Sequence, residues 1–361
     1  MACRPSVPDP LSRTRPAAVA LAAIAILAFH GPPTRAEVPV APAEPSVTTR
    51  TQVLGSLSGG TRLAASANAQ AVRCLLAAQG AVASFDPSQP ADRRIVVGPG
   101  IQGTCLAIGS LPGDVVAAVV RQGDAWWLRT YRIEPGATAD PATPLQDVSL
   151  GSAAADSGSV EIVVGTARGW LAITGLPAPL PPILRAAVAG VRIGPLSDRS
   201  CPSLPAGWRP VAATVSPRDE LVLAVEPLPP GDESTDRAVN PGLGRSAEIG
   251  FYELSGRELA RFEAGVTRLR AITFDRGGAA LCVAGQGLAD GRSGVWRLEA
   301  TMHEGRQVVR PVLVAPHPAV CDLVAAADRG LIMLAADEAG TLLAIDPLPP
   351  IPAASSGDAS P

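Results

Sequence analysis

Hydrophobic positions in this chain fall in short runs, and the runs recur as one phrase. An apolar run leads into a tight polar turn, a second apolar run follows, and a glycine introduces a third. The clearest copy is Ala271-Ile272-Thr273-Phe274, the turn Asp275-Arg276-Gly277-Gly278, Ala280-Leu281-Cys282-Val283-Ala284 and, later, Gly294-Val295-Trp296-Arg297-Leu298. Short runs bounded by Gly, Pro and Asp predict consecutive antiparallel strands. Prolines interrupt almost every long segment, and the runs are β-branched, so a helical fold is disfavoured.

Six copies follow one another. The first runs from Leu63 through Cys74-Leu75-Leu76-Ala77 to Asp86, and the second from Cys105 through Val115–Val120 to Trp126–Tyr131. The third, weaker, has Val160–Val164 and Gly169–Ile173. The fourth has Val211–Val215, Leu221–Val225 and Ile249–Leu254; the fifth is quoted above; the sixth spans Cys321–Asp346. Candidate fourth strands lie between them at Arg94–Val97, Leu145–Leu150, Ile183–Ile193, Glu258–Phe262 and Arg310–Val314.

Units of roughly 40–50 residues with four strands each have the period of a propeller. A four-stranded sheet buries too little alone, and stacking around an axis covers both faces and leaves only short edges. The expected fold is therefore all-β: a β-propeller of six four-stranded blades, or seven if the weak third copy and the Pro-rich stretch Gly175–Pro210 hide another. The sixth copy lacks a fourth strand, because Pro347–Pro361 is rich in Pro and Ser. A lone strand at Thr48–Leu57 is available to fill that place and close the ring. The competing architecture is a pair of β-sandwiches split near Pro202.

Across about residues 48–346 the spacing resembles the WD-repeat-like and quinoprotein-like propeller superfamilies. Glu258-Leu259-Ala260-Arg261-Phe262 through Ala284 looks like a WD-type junction between blades. Gly340–Asp346 and Gly80–Asp86 look like the phrase Gly-x-x-x-Ala-x-Asp of quinoprotein-like blades. The Gly-His and Trp-Asp signatures of WD repeats and the tryptophan-docking motif of quinoprotein dehydrogenases are absent. What the resemblance implies is an architecture.

The ends carry different signals. Arg4, Arg13 and Arg15 precede an uninterrupted apolar stretch, Ala17–Phe29, and Thr34-Arg35-Ala36 offers small residues where a signal peptidase reads. That stretch would rise about 20 Å as a helix, short of the ~30 Å hydrocarbon core. Residues 1–36 therefore read as a cleaved signal peptide, 37–46 as a disordered Pro-rich leader, 47–346 as the propeller domain and 347–361 as a disordered tail. The mature chain is expected to be periplasmic or extracellular, with no stable membrane span.

All thirty basic residues are arginine. Removing residues 1–36 takes away four Arg and one Asp, leaving 26 basic against 32 acidic residues. Such a chain has no concentrated cationic face, which excludes nucleic acid as an expected partner. Five cysteines remain after cleavage: Cys74, Cys105, Cys201, Cys282 and Cys321. Neighbouring blades would bring together Cys74 with Cys105 and Cys282 with Cys321, and apolar surroundings alternatively suit them as small core residues.

No catalytic constellation assembles in the sequence. His303 and His317 each stand alone, without a second His at metal-ligand spacing. No Gly-x-Ser-x-Gly elbow occurs. Asp114, Asp219, Asp275 and Asp328 recur in the first turn of four copies, where Asp stabilises tight bends. Asp232, Glu233 and Asp236 sit in a long polar insertion that reads as a solvated loop rather than a calcium loop. Of Trp126 and Trp127, neighbours on a strand, one is expected in the core and the other partly exposed.

The loops leading into first strands should surround one channel mouth. They contain Arg62 and Gln102, the pair Trp208 and Arg209, the pair Arg268 and Arg270, and His317. A gapless alignment places Arg209 and Arg268 at equivalent positions. An arginine-lined mouth suits a small anionic ligand or a carboxylate-bearing protein partner. The expected function is thus an exported, non-catalytic binding or scaffold module of the cell envelope, with no metal and no cofactor. The alternative is a metal-dependent, lactonase-like propeller hydrolase.

Overall fold

A computed structural model describes residues 51–346 apart from short intervals at 57–59, 69–70, 79–80, 87–88, 98–102, 134–142, 155–158, 229–244, 276–277, 279, 304–305, 327–329 and 336–340. The signal, leader and tail readings, the insertion Asp232–Asp236, Gln102 and Asp328 lie outside the described residues, as do the side chains of Cys74 and His303. Every described element is a strand, so no described helix is long and apolar enough to cross a membrane.

The chain opens with β1 (Thr51–Ser56) and then lays down its first blade: β2 (Gly60–Asn68), β3 (Ala71–Ala78), β4 (Ala81–Asp86) and β5 (Gln89–Val97). The second blade is β6 (Thr104–Leu111), β7 (Val115–Gln122), β8 (Ala125–Arg132) and β9 (Gln146–Ser152). The third is β10 (Glu161–Gly165), β11 (Trp170–Thr174), β12 (Ile183–Ala189) and the two-residue β13 (Arg192–Ile193). The fourth is β14 (Trp208–Val215), β15 (Leu221–Pro227), β16 (Glu248–Tyr252) and β17 (Glu258–Glu263). The fifth is β18 (Val266–Phe274), β19 (Leu281–Gly287), β20 (Ser293–His303) and β21 (Arg306–Pro316). The chain ends in β22 (Val320–Ala326), β23 (Gly330–Ala335) and β24 (Thr341–Ile345).

Five blades are therefore complete in chain order, each a meander of four antiparallel strands. The remaining sheet is composite, in the order β1-β24-β23-β22, with Thr51 opposite Ile345 and Ser56 opposite Thr341. This corrects the expected tally of six, or seven, blade copies. Self-contained blades number five, the last sheet is assembled from both ends of the described chain, and the stretch 175–210 supplies no extra blade. That stretch instead completes the third blade. Ile183–Ile193, expected as one fourth strand, is a hairpin, because Gly190 at φ 60° reverses the chain between Ala189 and Arg192.

The innermost strands neighbour one another in the order β2, β6, β10, β14, β18, β22 and back to β2, which makes a ring and excludes two stacked sandwiches. The core lies between blades. Val119 and Leu128 of the second blade pack with Leu171 and Ile173 of the third. Trp170 and Ala172 of the third pack with Leu221, Leu223 and Tyr252 of the fourth. Cys282 and Val295 of the fifth meet Leu331 and Met333 of the composite sheet. Each fully buried Leu, Ile or Val contributes about 1.5–3 kcal/mol, and only stacking of blade on blade provides that burial.

Side-chain devices join the blades as well. Asp219, in the turn after β14, accepts hydrogen bonds from the Trp170 indole Nε1 at 3.0 Å and from the Arg168 backbone N–H at 2.9 Å. It is buried, so this turn aspartate also latches the fourth blade to the third. Gly165 is required here, because a Cβ would collide with the Trp170 indole and the Asp219 carboxylate. The Arg185 guanidinium stacks on Trp170, 5.0 Å from the ring centroid, and donates to Leu254 O at 2.6 Å. Trp126 is fully buried with its indole donating to Ala153 O, whereas Trp127 is half-buried under the Arg129 guanidinium. Cys105 and Cys282 are buried free thiols, which fits the core reading and leaves neither conceivable bridge formed. Burial pushes the Cys105 thiol up to about 12, which keeps it a protonated core residue.

Candidate functional site

Five of the six innermost strands break register near their beginning. The irregularities lie between Gly60 and Arg62 in β2, Cys105 and Ala107 in β6, and Pro210 and Ala212 in β14. They recur between Thr267 and Ala271 in β18 and between Val320 and Asp322 in β22. A bulge leaves residues unpaired and bends the strand, so side chains and carbonyls at one end of each innermost strand turn toward the channel mouth. The sequence shows no such regularity, because a bulge is a mismatch in pairing rather than a residue type.

Arg62 stands at the first of these bulges. Its Nε donates to Leu106 O, the carbonyl of the residue bulged out of β6, at 2.8 Å, and its Nη2 lies 3.3 Å from Ser159 Oγ. Ser159 Oγ lies 3.4 Å from Glu161 Oε1 at the start of β10. Asp322, at the bulge of β22, accepts hydrogen bonds at 2.8 Å from the backbone N–H groups of Leu63 and Leu323. The Leu63 bond joins the composite sheet to the first blade. Burial pushes the Glu161 carboxyl up to about 8; the Asp322 charge pushes the same way, and Arg62 and the Ser159 bond partly offset them. Asp322 is also raised by burial, against the pull of Arg62 and its two backbone bonds.

A cavity of about 460 Å³ lies inside the ring, lined by residues from all six innermost strands. Its walls include Leu63, Ile108, Ile162, Val164, Ile272 and Val324. Among the described residues its charged lining side chains are acidic: Glu161 and Asp322 near the beginnings of their strands, and Asp219 in the turn at the far end of β14.

A second group gathers where β14 and β18 begin. Arg209, Arg268 and Arg270 are exposed there. Between them lies half-buried Glu226 of β15, whose Oε1 accepts the Leu269 N–H at 2.7 Å. Burial pushes the Glu226 carboxyl up, while that bond and the charges of Arg209 and Arg270 hold it back. Arg268 adopts φ 52° within the bulge. Pairing with the second strands puts Arg209 opposite Glu226 and Thr267 opposite Gln286. The β18 irregularity inserts two residues relative to its partner strand and that of β14 inserts one, so Thr267 rather than Arg268 is the register equivalent of Arg209.

The other sequence candidates are placed differently. Trp208 is half-buried against the Trp170 and Leu221 cluster. His317 sits before β22, and its Nδ1 lies 2.7 Å from Ala319 O. Glu161, Asp322 and Glu226 were missed by sequence reasoning. The available signal was an acid within an otherwise apolar strand, as in Val160-Glu161-Ile162 and Cys321-Asp322-Leu323.

No family model and no curated protein matches the chain. Among solved structures, a luciferin-regenerating enzyme is similar with a TM-score of 0.50 at 12% identity, over 85% of this chain and 98% of that one. The β-propeller domain of Cps50 (Swd1) from Myceliophteria thermophila gives 0.49 at 10% identity, over 81% and 98%. The PQQ-bound aldose sugar dehydrogenase of Streptomyces coelicolor gives 0.48 at 13% identity, over 84% and 100%. At identities this low the likeness is one of fold, and it agrees with the propeller architecture that residues 258–284 and 340–346 suggest.

Proposed function

We propose that this chain is an exported, non-catalytic binding module that takes a carboxylate-bearing segment of a protein partner at its mouth. One observation carries the reading: Arg209, Arg268 and Arg270 stand exposed on two adjoining blades around a single partly buried glutamate. Arginine presents a planar fork of donors suited to carboxylates, and a rigid ring holds such side chains in place at small entropic cost. Glu226 is bound from beneath by the Leu269 N–H, so it orders the bulge without screening all three cations.

The test uses a fluorescent hexaglutamate peptide on the mature protein at low salt. Binding should fall about tenfold or more when Arg209, Arg268 and Arg270 are changed together to Ala, with little change in melting temperature. Binding that ignores both the triple substitution and added salt rejects the mouth as the site.

The hydrolase reading needs several oxygen ligands converging on one cation. Asp322 has both oxygens on backbone N–H groups, and Asp219 is engaged by Trp170 and Arg168. Even with Glu161 and the remaining Asp322 lone pairs, this set offers fewer oxygens than a divalent ion takes, and the described residues contain no convergent group of three or more His, Cys, Asp or Glu.

A further inference from the structure

We infer that the cavity at the centre of the ring is a second binding site, for a small organic ammonium ion whose apolar body lies along the channel and whose charge meets Glu161 and Asp322. The cavity is distinct from the arginine mouth: none of Arg209, Arg268 and Arg270 lines it. Its volume of about 460 Å³ falls within the ~300–1,000 Å³ typical of small-molecule pockets. Its walls mix aliphatic side chains, Leu63, Ile108, Ile162, Val164, Ile272 and Val324, from four of the five blades and the composite sheet, with hydroxyls such as Ser110 and Thr273. Among the described residues, each charged side chain that lines it is a carboxylate, which favours cations over anions.

The surroundings of Glu161 and Asp322 decide what kind of cation. The one described cation that acts on both is Arg62 of β2, and it donates to Leu106 O and Ser159 Oγ rather than lining the cavity. The Asp322 charge acts on Glu161, and Arg62 acts on both, so two carboxylates share one guanidinium. Among the described residues the pair is therefore short of one positive charge whenever both acids are ionised. A primary ammonium group has three N–H donors, which Glu161, Asp322 and a lining hydroxyl can meet, unlike a divalent ion that takes six or more oxygens. Asp322 oxygens keep a second lone pair each beyond their backbone bonds, and Glu161 accepts only a long bond from Ser159. Since burial and the Asp322 charge hold the Glu161 carboxyl up near 8, it is protonated at neutral pH. An arriving ammonium ion favours the carboxylate, so that proton leaves to solvent as the ligand binds.

The probes are n-butylammonium and its neutral counterpart n-butanol, measured by calorimetry on the mature protein in two buffers of different ionisation enthalpy. Butylammonium is expected to bind in the millimolar range or tighter, releasing close to one proton at pH 6.5 and almost none at pH 9.5. Butanol is expected to bind at least about tenfold more weakly. Glu161→Gln should weaken butylammonium about tenfold and abolish proton release, while leaving the fold intact by circular dichroism. Asp322→Asn keeps an acceptor for only one of the Leu63 and Leu323 N–H groups and weakens the blade seam, so the wild-type pH series stands as the measurement that needs no variant. No butylammonium binding at about 10 mM, equal binding of butanol, or proton release that is the same at both pH values would each overturn the inference.

Discussion

Glu161 and Asp322 put charge where strand chemistry asks for apolar side chains, and their cost depends on pH. A carboxyl raised from its ordinary 4.5 to about 8 binds its proton in the folded state while the unfolded chain has already lost it. Stability therefore falls as pH rises from about 5 to 8, and the raised Asp322 adds in the same direction. Glu161→Gln should flatten this slope, and the variant should melt higher than the parent at pH 8.5, a difference on the order of 1–3 kcal/mol. A melting series across pH that is parallel in both proteins contradicts the assignment. Asp219 offers a second case. Asp219→Ala should cost about 1–3 kcal/mol in chemical denaturation by orphaning the Trp170 indole and the Arg168 N–H. Asp219→Asn, which keeps an acceptor and tolerates its φ of 64°, should cost less. The turn role of Asp219 was legible in Ser216-Pro217-Arg218-Asp219; its bond to a tryptophan 49 residues earlier was not, since that pairing exists only once blades stack.

At the level of strands, hydrophobic periodicity located most elements to within a few residues, because a strand between two blades is apolar on both faces. Val115–Val120 of β7 is buried throughout, and its run is continuous in sequence. The third blade misled the reading for a physical reason. Its innermost strand carries Glu161 and its fourth strand has only two residues, so neither shows the usual apolar length. The mouth was legible only in part. Arginine positions could be counted, but the bulges that aim them, and the extra residue in that of β18, depend on pairing. Element-level swaps follow from the composite sheet. Removing residues up to 56 strips β1 from β24 and exposes a strand edge, so the truncated protein should melt about 5 °C lower or more and aggregate sooner. An unchanged melting temperature would show that β1 contributes nothing to the sheet.

At the scale of the whole molecule, interblade packing holds the ring, the ring positions two chemically opposite sites, and their separation follows from topology. Arg209, Arg268 and Arg270 stand exposed where β14 and β18 begin, whereas Glu161 and Asp322, at the beginnings of β10 and β22, line the cavity. Export is proposed from residues 1–36, and expression of the full chain in a bacterium with a periplasm should deliver protein beginning at Glu37 to that compartment. Protein retained in the cytoplasm with residues 1–36 intact would contradict it. Beneath all of this lies closure of the ring by strands from both ends of the described chain. Amide hydrogen exchange tests it most directly. In a closed ring the paired amides of Thr51–Ser56 and Thr341–Ile345 exchange together, with protection approaching that of β7. Rapid exchange at Thr51–Ser56 beside slow exchange at Thr341–Ile345 would contradict the composite sheet, and with it the arrangement of both sites.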